Sequence, residues 1–165
     1  MGFMRFVVTA LVMTAGLIAV PSQAGVRALP EATVQIAVSN KSQAGKDVSD
    51  LINAYRKSKG LSPLNLNAKL SKAAQKHADD MIRRGYFAHV SPSGSKPLAR
   101  VRKAGYKGCL VAENLSYSWK TVDIAVAEWM KSSGHRTNIM HPRFRDVGVG
   151  IGPNNLIVAV FAKPC

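Results

Sequence analysis

The chain has few acidic residues, only two cysteines and no long apolar run after its first 24 residues. Nine Asp and Glu stand against 23 Lys and Arg, so the formal net charge at pH 7 is +14. Such an excess favours anionic partners, such as lipid headgroups, acidic glycans or an envelope surface, or else serves solubility alone. The sequence also lacks internal repeats and the hydrolase motifs G-x-S-x-G and H-E-x-x-H. No short motif therefore identifies an enzyme.

Residues 1–24 have the pattern of a secretory signal peptide. Arg5 precedes an uncharged apolar run from Phe6 to Val20, and Ser22-Gln23-Ala24 supplies small residues at the positions that a signal peptidase reads. The run has 15 residues, whereas a membrane-spanning helix needs about 20, so we favour cleavage after Ala24 over an uncleaved anchor. Export would make the protein secreted or periplasmic, and no physiological nucleic-acid partner is then expected.

The exported part has the size of one domain and holds both cysteines. Removing residues 1–24 takes away one charged residue, Arg5, which leaves 141 residues with 22 basic and 9 acidic side chains and a net charge of +13. That length suits a single domain with its own core. In an oxidising compartment a pair of cysteines usually forms a disulfide, so we expect Cys109 to bond Cys165. A two-cysteine metal site is disfavoured, because the pair is far apart in sequence and has no flanking histidines.

Hydrophobic periodicity predicts helices early in the chain and a β-hairpin at its end. Residues 25–46 lack helical periodicity and predict a spacer, flexible or with a short strand at Val34, Ile36 and Val38. Helices are expected at 47–60, with Ser49 able to cap the start, and at 68–84, 96–105 and 121–129. Strands are expected at 109–117, 146–152 and 156–162, the last buried. The glycine alternation in DVGVGIG (146–152) implies close packing on one side. The pattern predicts an α+β domain with helices covering a sheet.

Two of the four histidines lie where a side chain can face a cleft. His89 follows the helix that ends near Gly85, and His135 follows the tryptophan-containing helix. Glu113 interrupts an apolar segment and needs a partner, because an unpaired buried charge is costly. Two neutral imidazoles and a carboxylate form a donor set for a divalent cation such as Zn²⁺, and equally for a structural hydrogen-bond network. His77, on the apolar stripe of its helix, is predicted to be a packed, hydrogen-bonded core residue, and His141 is given no role.

Four segments together resemble the CAP superfamily, also called SCP-like, after the cysteine-rich secretory, antigen 5 and pathogenesis-related 1 proteins. They are YFAHVSPSG, VAENLSY, AVAEWMKSSGHRTNIMHPRFRDVGVGIG and LIVAVFA. The likeness is closest to the bacterial single-domain branch and spans about residues 47–165. It implies an α-β-α sandwich with helices packed around a mainly antiparallel sheet.

The resemblance also implies a cleft lined by two histidines and two acidic residues. His89, Glu113 and His135 match three of these positions, and the fourth is occupied by Ser132. Glu128 lies four residues before that position and is not a substitute, so we expect a triad. The resemblance implies that His89 and His135 can bind a divalent cation, with Glu113 nearby.

Three further residues are expected to support the cleft. Asn114 and Asn138 would anchor the loops, and so would Arg136, through backbone hydrogen bonds and an ion pair. The alternative for Arg136 is contact with an anionic ligand. Gly134 is expected to take a conformation that other residues resist, which would turn His135 toward the cleft.

Three functions compete. We favour a secreted, non-enzymatic protein that binds a lipid, glycan, cell-wall component or protein through the cleft and the basic surface. The alternative is a metal-assisted, peptidase-like hydrolase in which Glu113 acts as general base. A serine route through Ser132 or Ser133 and His135 is awkward, because residues two or three positions apart are poorly placed as nucleophile and base. In the third interpretation, His89, Glu113 and His135 only stabilise the fold.

Overall fold

The computed structural model describes residues 31–165, and for residues 31–39 the helical backbone alone. The predicted signal peptide and its cleavage site lie outside the described residues. No helix within 31–165 has the length and apolar character needed to cross a membrane. The described helices are α1 (Glu31–Lys57), α2 (Ala68–Arg84), α3 (Pro97–Lys103), α4 (Val122–Lys131) and α5 (Ser133–Met140), with a 3₁₀ turn at Pro153–Asn155; the strands are β1 (Asn65–Leu66), β2 (Gly108–Ser116), β3 (Asp146–Gly152) and β4 (Leu156–Pro164).

The strands form one sheet in the order β1-β3-β4-β2. β1 pairs parallel with β3, and the other two pairings are antiparallel. β4 lies between β3 and β2 and is buried on both faces along most of its length, as the apolar run LIVAVFA predicted. The expected hairpin of β3 and β4 is therefore confirmed.

Helices cover both faces of this sheet and create two apolar cores. Since successive side chains of a strand point to opposite faces, Ile157 and Phe161 pack toward α1, α4 and α5, and Val158 and Val160 toward α2 and α3. The result is the α-β-α sandwich that the resemblance implied. A disulfide joins Cys109 to Cys165, as expected, and ties the start of β2 to the residue after β4.

Two glycines of β3 allow α2 to lie directly on the sheet. A Cβ atom on Gly148 would lie 2.2 Å from the carbonyl carbon of Leu70, and one on Gly150 would lie 2.4 Å from that of Ala74. Neither distance is compatible with a side chain, because real Cβ atoms do not approach the backbone so closely. The close packing predicted from the glycine alternation is confirmed, and its partner is α2.

This close approach also lets α2 cover an otherwise open part of the β3 edge. The Val149 N–H donates to Ser71 Oγ at 3.2 Å, and the Ile151 N–H donates to Gln75 Oε1 at 2.9 Å. Gln75 Nε2 in turn donates to the carbonyl of Ile151 at 2.9 Å. Helix side chains thus satisfy backbone groups that β1, with two residues, does not reach.

The expectations for the residues before Asp47 were wrong in secondary structure. Helix α1 begins at Glu31, so the strand expected over 34–38 is helical, and the region taken as a spacer is helix from 31 to 46. Ser49, expected to cap the helix, is a buried residue inside it. Helical spacing did exist from Ala44 through Val48, both of which pack in the core shared with α4 and α5. Gly45 concealed it, because glycine in a sequence usually indicates a break.

Replacing Gly148 with alanine is expected to lower the free energy of unfolding by about 1–3 kcal/mol, because the new methyl group forces α2 off the sheet. Gly134→Ala is the matched control. It lies in α5, a Cβ there has nothing within 4 Å, and alanine favours a helix by up to about 1 kcal/mol over glycine. Urea denaturation followed by circular dichroism measures both changes. Equal midpoints for the two variants would contradict the close contact of α2 with β3.

Candidate functional site

The residues that carry the resemblance meet around β2, which is an edge strand of the sheet. The Glu113 side chain is 1% exposed and points into the layer formed by α2 and α3, on the face of its cross-strand partner Val160. Its Oε1 atom lies 2.9 Å from Nδ1 of His89, and its Oε2 atom accepts from Nη2 of Arg100 at 2.7 Å. The buried carboxylate of Glu113 therefore has two partners, the imidazole of His89 and the guanidinium of Arg100.

Arg100 is the member of this network that sequence analysis missed. Its Nη1 donates to the carbonyl of Ser95 at 2.7 Å, and its Nη2 reaches the carbonyl of His89 at 2.9 Å as well as Glu113. One side chain thus joins α3, the loop that carries His89, and β2. No signal in the sequence distinguishes it, because Arg102 and Lys103 stand beside it, and only in the folded helix are those two exposed while Arg100 is partly buried.

His77 packs against the same carboxylate from α2. It is 2% exposed, and Nε2 must carry its hydrogen, because it lies 3.0 Å from the carbonyl of Ala88, which can only accept. The same nitrogen is 3.8 Å from Oε1 of Glu113. Burial lowers the pKa of His77 below its ordinary value, and the charge of Glu113 opposes this only in part. The prediction of a packed core histidine is confirmed, and its proximity to Glu113 is an addition to it.

Asn114 points to the opposite face of the sheet, toward α5, because neighbouring strand residues alternate. It is fully buried, its Nδ2 donates to the carbonyl of His135 at 3.1 Å, and its Oδ1 accepts from Nδ2 of Asn138 at 2.9 Å. Asn138 also reaches the carbonyl of Glu113 at 3.4 Å. Both asparagines therefore hold the first turns of α5 against the edge of β2.

His135 lies in the first turn of α5 rather than in a loop beyond a helix. Gly134 precedes it inside the helix and has no positive φ, so the conformational reason given for this glycine was wrong. The imidazole of His135 packs beside Trp129, with ring centroids 6.3 Å apart. Burial, and then the nearby charge of His89, lower the pKa of His135. Both imidazoles belong to segments that contact β2, His89 through Glu113 and His135 through Asn114.

Ser132 and Arg136 belong to the junction between α4 and α5. Ser132 ends α4 and precedes α5, and its backbone N–H donates to the carbonyl of Glu128 at 3.2 Å. Arg136 donates through Nη1 to the carbonyl of Met130 at 3.0 Å, which is the backbone anchor expected of it. Within residues 40–165 its side chain forms no ion pair.

The donors that this arrangement offers to a cation are the two imidazoles. The oxygens of Glu113 face His89 and Arg100, and Nδ1 of His89 is held by Glu113, which leaves Nε2 of His89 and the ring of His135. In the described part of the chain, no three His, Cys, Asp or Glu side chains are grouped to hold a metal ion. A carboxylate that fixes the second nitrogen is common behind metal-binding histidines. These contacts leave two imidazoles as candidate donors, and the described residues do not supply the three-ligand set of a catalytic zinc.

Comparison with known proteins agrees with this fold. The model of the cysteine-rich secretory protein family, CAP, matches residues 49–160. Protein YkwD of Bacillus subtilis (strain 168) is 38% identical over 118 residues, which are 72% of this chain and 46% of that protein. The membrane protein YlbC of the same organism is 29% identical over 106 residues, or 64% of this chain and 31% of that protein. The chain thus spans less than half the length of these curated relatives.

Solved structures share the same architecture. An extracellular protein containing an SCP domain from Bacillus anthracis str. Ames has a TM-score of 0.70 at 25% identity, over 74% of this chain and 41% of that one. An outer surface protein from Borrelia burgdorferi has a TM-score of 0.66 at 22% identity, over 73% of this chain and 92% of that one. The second likeness is evidence for the fold alone.

Arg100→Met is expected to lower the free energy of unfolding by about 3–5 kcal/mol, because it leaves the Glu113 carboxylate buried without its cation. Arg102→Met on the same helix is the control, since that side chain is exposed and its removal should cost less than about 1 kcal/mol. Chemical denaturation at pH 7 measures both. Adding Glu113→Gln to Arg100→Met should recover part of the loss. Equal effects of the two arginine substitutions would contradict the buried pair.

Stability is expected to fall as the pH is lowered from about 7.5 to about 5.5. The pKa of His77 in the folded chain lies below its ordinary value of 6.5, so the unfolded chain binds protons first and gains stability from them. The stability that neutral His77 contributes is complete above its ordinary pKa of 6.5 and is lost as the pH falls from there toward its lower pKa in the folded chain. His77→Gln keeps a nitrogen for the Ala88 carbonyl but does not titrate, so urea midpoints should depend less on pH in this variant. An unchanged pH dependence would refute the assignment to His77.

Proposed function

Because the chain belongs to the CAP family of cysteine-rich secretory proteins, we propose that it is an exported, non-enzymatic binding protein. Its ligand, a lipid, glycan, cell-wall component or protein, would bind at His89 and His135, with Glu113 buried behind His89. The secretory pattern of residues 1–24 supports export. So does the likeness to an extracellular protein of the same fold. The place of action would be the periplasm or the outside of the cell.

The observation that carries this proposal is the state of Glu113. Its carboxylate is 1% exposed and faces both Nδ1 of His89 and the guanidinium of Arg100. A general base needs a lone pair within reach of water or substrate, and these contacts direct the oxygens of Glu113 inward instead. The carboxylate therefore orients His89, whose side chain is 52% exposed and presents Nε2 to a ligand. This arrangement supports a role in recognition over one in base catalysis.

The hydrolase alternative receives no comparable support. A metal-assisted route would need Glu113 as base, and a serine route would need Ser132 or Ser133 beside His135. In the described residues neither serine hydroxyl is hydrogen-bonded to a histidine. The carbonyl of Ser133 instead accepts from Thr137 at 2.8 Å within α5.

The proposal includes a divalent cation such as Zn²⁺ on Nε2 of His89 and the ring of His135. The lowered pKa of His135 favours its neutral form at pH 7, which is the form that binds metals. A cation held by two imidazoles would offer its remaining coordination positions to oxygen atoms of a ligand. The chain's own residues would supply the rest, because Glu113 fixes the ring of His89 and Asn114 holds the backbone of His135.

The basic surface would contribute to recognition beside the cleft. A groove of about 560 Å³ runs between α2 and α3, and Arg100 and His77 contribute to its wall. Lys76 and Lys103 also line it, together with Asp79 and Asp80, so basic side chains outnumber acidic ones along this groove. Anionic groups of an envelope polymer or lipid would be attracted there.

Zinc is expected to raise the melting temperature of the mature chain, residues 25–165, after prior chelation. A ligand at about 100 times its dissociation constant adds about 2.7 kcal/mol to the native state. His89→Ala and His135→Ala should each abolish this zinc effect, while His141→Asn, which removes a histidine outside the cleft, should keep it. Absence of a zinc shift, or an equal shift in all variants, would refute the cation site.

Soluble peptidoglycan fragments test the binding proposal itself. We expect them to raise the melting temperature of the wild-type chain but not of the His89→Ala/His135→Ala variant, without release of new amino or reducing groups. Release of such groups that depends on His89 would establish the hydrolase instead. A shift equal in both proteins would place the binding outside the cleft.

A further inference from the structure

We propose that a cluster of exposed aromatic and aliphatic side chains docks the protein onto an anionic lipid bilayer. This cluster, the aromatic face, consists of Ile82, Phe87, Tyr117 and Trp119. It goes beyond the function proposed above, because none of its members belongs to the cleft of His89, Glu113 and His135.

The aromatic face gathers most of the large apolar side chains that the described residues expose. Among residues 40–165 six such side chains are exposed, and four of them belong to this face. Ile82, Phe87 and Tyr117 line one recess of about 350 Å³, with Leu156 among its other walls. The rings of Phe87 and Tyr117 have centroids 6.0 Å apart. Scattered exposed hydrophobic residues are ordinary, but clustered ones indicate an interaction site.

Hydrogen bonds join the loop after β2 to the turn between β3 and β4, and both contain residues with positive φ. Ser118, Asn154 and Asn155 have φ values of 65°, 53° and 50°, a region that asparagine adopts more readily than most residues and serine rarely adopts. The Ser118 N–H donates to the carbonyl of Asn154 at 3.0 Å. Asn155 Nδ2 donates to the carbonyls of Trp119 at 2.7 Å and Lys120 at 3.0 Å. Such backbone persists where surrounding contacts enforce it and often accompanies a function. Here it belongs to the loop that carries Trp119, whose side chain is exposed.

Side-chain type and charge favour an anionic bilayer as the occupant. Trp and Tyr combine an apolar ring with a polar group and are enriched where membranes meet water. Lys120 follows Trp119 directly, and the guanidinium of Arg84 stands over the ring of Tyr86 at 5.9 Å, beside the recess. The whole chain carries 23 basic against 9 acidic residues, so it is attracted to negative headgroups while the rings enter the interface.

Trp119 provides a direct probe of this docking. The chain has two tryptophans, and Trp129 is 2% exposed in the core whereas Trp119 is 39% exposed. Vesicles of equal parts phosphatidylglycerol and phosphatidylcholine should shift the emission of the mature chain to shorter wavelength and carry the protein into the pellet. Pure phosphatidylcholine vesicles should do neither, and high salt should reverse the effect. Trp119→Phe should remove the emission shift.

Matched variants distinguish the aromatic face from general charge attraction. Phe87→Ser/Tyr117→Ser should weaken vesicle binding at least about tenfold, since each lost ring removes buried apolar area, while Leu66→Ser should not, although Leu66 is 46% exposed on the opposite edge strand. Thermal melts confirm that each variant is folded. His89→Ala should bind vesicles like the wild type, so loss of cleft function and loss of docking are separable.

Three outcomes would overturn the proposal. The first is no co-sedimentation with anionic vesicles, and the second is equal weakening by Leu66→Ser and by the aromatic-face substitutions. The third is self-association of the free protein, seen by analytical ultracentrifugation and removed by Phe87→Ser/Tyr117→Ser, without vesicle binding. That last result would assign the face to a second copy of the chain.

Discussion

A carboxylate that water does not reach must be neutralised by the groups around it, and much of this domain is arranged to do so for Glu113. Arg100 brings α3 to β2, and the same guanidinium holds the loop carbonyls of Ser95 and His89. His77 fills the remaining side from α2 as a neutral ring. Removing a partner leaves a charge that the interior cannot solvate. The orientation of His89 at the surface is therefore set by electrostatics in the core.

The backbone of β2 around Glu113 also needs hydrogen-bond partners, which side chains of α4 and α5 supply. β2 is an edge strand, so its outer carbonyls need partners that no neighbouring strand supplies. Asn138 reaches the carbonyl of Glu113, and Trp129 donates through Nε1 to that of Leu115 at 3.0 Å. Asn114, pointing inward, holds the start of α5 through the carbonyl of His135. Two consecutive polar residues of β2 thus bind the helical layers on both faces of the sheet.

The sequence predicted well what depends on local pattern. Periodicity located the central strand at 156–162, and alternating glycines indicated the contact that α2 makes with β3. The sequence predicted poorly the contacts between side chains that are far apart along the chain. The need of Glu113 for a counter-charge was evident from its apolar neighbours, but Arg100 stands among other basic residues in KPLARVRKAG, and only the packing of α3 on the sheet distinguishes it. The expectation of an unusual backbone conformation at Gly134 was wrong because glycine permits a left-handed turn without requiring one.

A single strand relates the cleft to the aromatic face. Glu113 and Asn114 lie within β2, and Tyr117 follows its last residue, four positions after Glu113. At about 3.3 Å per strand residue the separation is on the order of 13 Å. The loops beyond β2 are held by hydrogen bonds from Asn155, so the face and the cleft keep a constant geometry. If the aromatic face rests on a bilayer, Glu113 and the His89 ring that it orients are then on the order of 13 Å along β2 from Tyr117. A ligand drawn from the envelope would meet the cleft close to the surface from which it came.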